Sequence, residues 1–159
     1  RNPSYLDSQQ IPIEKMQFKY GLGDVVAFDG TKNDAHRYFV QGISGTETDF
    51  AWSDGQTAEL MAYVGETEGD LTLTLNLKMV YCAPQQIIVQ SGDEVLINHS
   101  IISIKEPLVI KVPSSCIQNG IINLNFFFPN ATSPAENGES ADTRSLSIAI
   151  ASFVIDEAS

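Results

Sequence analysis

The chain has 159 residues, 43% of them hydrophobic, with 20 Asp plus Glu against 9 Lys plus Arg and a formal charge of −11. That length suits one domain burying roughly two-thirds of its unfolded surface, enough for a core without staples. The acidic balance and the lack of any basic run exclude a phosphate-backbone footprint, and so a nucleic-acid partner, while repelling anionic lipid surfaces.

Residues 1–16 are mixed and mostly polar, with Pro3 and Pro12, and read as an entry segment draped over a single β-sandwich domain spanning 17–159. Met16, Phe18 and Tyr20 alternate with Gln17 and Lys19, and Val25, Val26 and Phe28 follow Gly21 and Gly23, the pattern of short strands joined by tight turns. A turn cluster from Asp29 to Asp34 leads to a brief strand at Tyr38-Phe39-Val40. Ala58, Leu60, Ala62 and Val64 alternate with Thr57, Glu59, Met61 and Tyr63, a strand with one apolar and one mixed face. Beyond the acidic turn Gly65–Asp70, Leu71, Leu73, Leu75 and Leu77 alternate with Thr72, Thr74, Asn76 and Lys78, which places all four leucines on one sheet face. This strand runs on through Met79 to Cys82 and stops at Ala83-Pro84.

Ile87–Val89 and Val95–Ile97 around Gly92-Asp93 predict a hairpin. Further strands are expected at Ile101–Ile104, Leu108–Val112, Ile121–Phe128 and Leu146–Ile155, and one helical turn within Pro113–Gly120. Many short strands without a helical crossover define an all-β chain, a two-sheet antiparallel jelly-roll-like β-sandwich. No run reaches the roughly 18 to 20 apolar residues of a membrane-spanning helix, and no signal peptide is evident. The chain opens at Arg1-Asn2-Pro3 and closes on Ala158-Ser159 just past an apolar strand, so it is expected to be a segment of a longer protein. Cys82 and Cys116 match no zinc or redox spacing, leaving either a disulfide or two free thiols.

Two polar, glycine-bearing loops concentrate the candidate site residues: Gly42–Gly55, with the only tryptophan and an acidic cluster, and Asn130–Arg144. Trp52 is either a stacking platform for a sugar ring or, beside Phe50, an apolar plug at one end of the core. Glu47, Asp49 and Asp54 offer oxygens for calcium, though their spacing fits no EF-hand, and the plainer expectation is a solvated acidic loop without cofactor. Asp142 and Arg144, two apart, share one face; Arg144 is expected to fork onto Glu47 and clasp the two loops together, with a local bracket to Asp142 as the alternative. His36 and His99 lack metal-ligand companions, and Ser44, Ser53 and Ser133 lack a Gly-x-Ser-x-Gly elbow.

Gly42-x-Ser44-x-x-Glu47, Trp52-Ser53-x-Gly55, the Leu71–Leu77 strand, Ser133-Pro134 and Ser140-x-Asp142-x-Arg144-x-Leu146 together resemble one domain family. It is the carbohydrate-binding-like β-sandwich of unknown function at the C-terminal end of bacterial multi-spanning membrane glycosyltransferases and phosphoglycerol-transferase-like proteins. The resemblance covers roughly Tyr38 to Ile155. It departs at Thr46, where a proline is usual, and at Phe50-Ala51, where a glycine is usual. The resemblance implies a non-catalytic extracytoplasmic accessory domain of a larger membrane protein, binding or positioning cell-envelope glycan, with its own membrane-spanning portion as a partner. It carries Glu47, Trp52, Asp142 and Arg144 over as motif residues. Alternatives from other classes are a structural or protein-interaction sandwich without a sugar site, and a glycoside hydrolase or esterase using loop acids or serines.

Overall fold

The computed structural model describes residues 18–29 and 34–158. The expected entry segment, residues 1–16, lies outside them, as does most of the turn cluster after Asp29. Among the described residues eleven strands form: β1 (Val25–Ala27), β2 (Phe39–Gln41), β3 (Ala51–Trp52), β4 (Thr57–Tyr63), β5 (Leu71–Val80), β6 (Gln85–Ser91), β7 (Glu94–Ile101), β8 (Leu108–Val112), β9 (Ile117–Gln118), β10 (Ile121–Phe127) and β11 (Ile148–Glu157). They make two sheets, a five-stranded one ordered β1-β11-β5-β8 with β3 beside β11, and a six-stranded one ordered β2-β4-β10-β6-β7 with β9 beside β10.

Numbering only β1, β4, β5, β6, β7, β8, β10 and β11 as one to eight, the sheets run one-eight-three-six and two-seven-four-five. That order is two interleaved Greek keys, a jelly roll, with β2 added at one edge. Every ladder between named strands is antiparallel.

The core lies between the sheets. Leu71, Leu73, Leu75, Ile110, Ile155 and Phe153 from one sheet meet Leu60, Leu124, Phe126, Ile87 and Val89 from the other, all fully buried. Leu77 is partly buried but packs on the same inward face, so the expected leucine row holds. Just beyond it comes a pair of bulges: β5 and β11 slip at Lys78 and again at Ala151. Each extra residue reverses the in–out parity, so Leu77 and Val80, three apart, both turn inward, as do Ile150 and Phe153.

Three expectations are corrected. Residues 18–20 form no strand but a single bridge from Lys19 to Tyr63. Phe18 is exposed beneath the Arg37 guanidinium, whereas Tyr20 is buried against Tyr38 and Phe153. Ile101 closes β7 rather than opening a strand, because β6 begins at Gln85 directly opposite and offers no partner beyond it; Ile102 is accordingly exposed. Tyr81 and Cys82 lie past the end of β5, with Cys82 in a left-handed conformation.

Candidate functional site

The Gly42–Gly55 loop folds as a narrow hairpin. Ser44 N–H donates to the Trp52 carbonyl (2.8 Å), Asp54 N–H to Gly42 (2.9 Å), and Glu47 N–H to Phe50 (2.8 Å) at the tip. Gly42 has φ +85°, and a Cβ there would lie 2.2 Å from the Thr57 carbonyl oxygen, so the hairpin can close on β4 only with glycine at that position.

The second loop docks against this hairpin. Gly55 N–H donates to Ser145 O (2.8 Å), and the Asp54 carboxylate accepts Ser145 N–H (3.1 Å). Beneath them runs a wholly buried polar chain. Ser53 Oγ accepts the Ser147 and Ile148 amides, Ser147 Oγ donates to Gln85 Oε1 (2.7 Å), and Gln85 Nε2 donates to the Tyr81 (2.7 Å) and Asn130 (3.2 Å) carbonyls. Ser133, also buried, accepts the Glu136 amide. Ser53 and Ser133 are thus engaged in holding backbone.

Arg144 does bring the loops together, but its fork is not aimed where expected. Nε and Nη2 both bond the Asp142 carboxylate, the closest contact being 2.8 Å, while Nη1 lies 3.6 Å from Glu47 Oε2. Asp142 also accepts the Arg144 amide (3.0 Å). The two-residue spacing makes the local bracket the cheaper geometry, and Glu47 becomes a secondary partner. The Arg144 bonds hold the Asp142 carboxyl below its usual range, and the carboxylate raises the guanidinium in turn.

Of the remaining predicted residues, Asp49 pairs with Lys78 (3.4 Å). Glu47, Asp49 and Asp54 therefore face three different partners, and among the described residues no three His, Cys, Asp or Glu side chains converge. Trp52 is not a plug in the core. Ala51 faces inward and is fully buried, so Trp52 points out of the five-stranded sheet, in register with Ala149 and, beyond it, Met79. Phe50 and Tyr81 flank its indole edge-on, with centroids at 6.2 and 6.4 Å. Tyr81 donates its hydroxyl to Glu139, which pushes its pKa up. His36 donates through Nε2 to Ser44 O (2.7 Å), fixing the hairpin base.

The opposite, outward face of the six-stranded sheet has a different chemistry. Leu60, Leu124 and Val89 point inward, so Thr57, Glu59, Met61, Asn123, Asn125, Phe127, Ile88 and Gln90 point out. The register aligns Gln41, Glu59, Asn125, Gln90 and Val95 in one row across five strands, about 19 Å at ordinary strand spacing. A second row holds Thr57, Phe127, Ile88 and Asn98.

The polar groups of this face are organised around Glu59. Gln41 Nε2 donates to its Oε1 (3.0 Å), Asn123 Nδ2 to its Oε2 (2.7 Å), and Asn125 Nδ2 to Asn123 Oδ1 (3.4 Å). Beside this network is an open hollow of about 470 Å³ lined by Phe127, Ile88, Val95, Gln90, Asn98 and Thr57. Planar amides fixed next to a partly buried aromatic ring and aliphatic side chains can bond hydroxyls while covering an apolar C–H face. This surface was not singled out from the sequence. The signal was there in the alternation Asn123-x-Asn125-x-Phe127 and Gln86-x-Ile88-x-Gln90, where outward positions hold amides rather than the charges usual on a solvated strand.

No family model matches the chain, and no curated protein is similar to it.

Proposed function

We propose that this domain is a non-catalytic module that binds or positions cell-envelope glycan, and that it serves as the extracytoplasmic accessory part of a membrane-bound glycosyltransferase or phosphoglycerol-transferase-like enzyme. The observation that carries the binding role is the amide-bearing face around Glu59 and Phe127, on a jelly roll whose outward side chains are held by their own hydrogen bonds. Preorganised polar groups beside an aromatic ring lower the ordering cost of capturing a flexible, hydroxyl-rich ligand. The motif resemblance supplies the membrane-enzyme context. In this reading the sugar platform moves from Trp52 to Phe127, on the other sheet.

Titration calorimetry of the domain against purified envelope glycans tests the role. Phe127→Ala is expected to weaken binding about three- to tenfold, the equivalent of one lost contact, while Trp52→Ala leaves it unchanged. Absence of binding to every envelope glycan would remove the proposal. A structural or interaction role is favoured by one specific observation: the two motif loops satisfy their polar groups on each other, which makes their shared residues fold determinants.

A further inference from the structure

We infer that the ligand of the six-stranded face is an uncharged polysaccharide laid across the strands, and that polyanionic glycopolymers are excluded. The inference rests on the glycan-binding reading of that face and names its substrate class. β2, β4, β6, β7 and β10 contain no lysine or arginine at all, whereas β5 and β8 of the other sheet carry Lys78 and Lys111. Among the described residues, a phosphate or carboxylate on these strands would find no lysine or arginine of the strands to pair with, and burying it unpaired is costly. The fixed charge at the centre is the Glu59 carboxylate, within a chain of formal charge −11, so the local and long-range fields both oppose a polyanion.

Hydrogen-bond polarity points the same way. Gln41 and Asn123 each direct an amide N–H onto Glu59, and their donors are thereby partly spent, while the Gln41 Oε1 and remaining Glu59 lone pairs stay available. The Glu59 end of the face is therefore acceptor-rich and matches a ligand that donates, as sugar hydroxyls do. The Phe127 hollow adds an apolar floor for the C–H side of a pyranose ring. The long axis follows from register: the Gln41–Val95 row crosses five strands and the hollow lies alongside its far half.

The test compares three probes on the intact domain at fixed, low salt: a neutral β-glucan oligosaccharide series with chitin oligomers, a glycerol-phosphate polymer and a polyuronate. The expected result is binding to a neutral probe, at least tenfold weaker or no binding to both polyanions, and about a three- to tenfold loss in Asn125→Ala and in Phe127→Ala, each still unfolding in one cooperative transition above the assay temperature. Polyanion binding equal to or tighter than neutral binding and lost in Asn125→Ala overturns the substrate class but leaves the glycan role intact. Neutral binding unaffected by both substitutions overturns the site. Failure of every probe overturns this inference, while the proposed function stands or falls on the titration against envelope glycans. The wild-type selectivity reads out without any variant, so a substitution that fails to fold does not stall the test.

Discussion

Arg144 is fixed by three bonds to one carboxylate and a looser contact to a second, and that asymmetry gives its role a pH signature. The Asp142 pKa is lowered in the fold, chiefly by the Arg144 side chain and then by the Arg144 amide. A carboxylate depressed on folding stabilises the native state above its unfolded value of about 3.9, and that contribution is lost as pH falls through the lower folded value. Asp142→Asn is therefore expected to lower the unfolding temperature near neutrality and to match the parent chain in strong acid. Melting curves from pH 7 down to pH 2 check this, and a gap that stays constant with pH would assign the loss to packing instead. Glu47→Gln should cost less at pH 7, because its contact is longer and its side chain more exposed.

At the level of elements, hydrophobic alternation located the strands well because each sheet buries one face, which is what a period of two records. It carried no sign of the bulges, where parity changes. Nothing in Leu71–Val80 marks Lys78 as an inserted residue, since the slip is set by the partner strand β11, which slips again at Ala151. The consequence is measurable: Leu73→Ala should cost about 3 kcal/mol and Leu77→Ala only about 1 kcal/mol, as fully and partly buried leucines differ. Urea unfolding midpoints check the order, and equal losses would mean that the bulge does not loosen the end of β5. The candidate site was less legible than the strands. The loops attracted notice for their glycines and acids, but closing them requires partners distant in sequence, such as Ser53 with Ser147. The amide face needed the register itself, which aligns Gln41, Glu59, Asn125 and Gln90 from four separate strands.

On the scale of the whole molecule, the sandwich has two ends, and the cysteines lie at different ones. Cys82 sits between Tyr81 and Gln85 where β6 begins, in the end closed by the two loops. Cys116 has its sulfur 3.7 Å from Glu94, at the hairpin where β6 gives way to β7. The seven residues of β6 separate these ends by about 20 Å at strand rise, whereas a disulfide requires Cα atoms within about 7 Å. The disulfide left open by the sequence is thus ruled out within one chain, and both cysteines are free. Denatured, unreduced monomer should titrate two thiols and show no mass change on reduction. In the native protein the exposed Cys82 should react faster with a thiol reagent than the half-buried Cys116. A monomer with no titratable thiol would require the two ends to meet, which the jelly-roll topology forbids without unpairing β6.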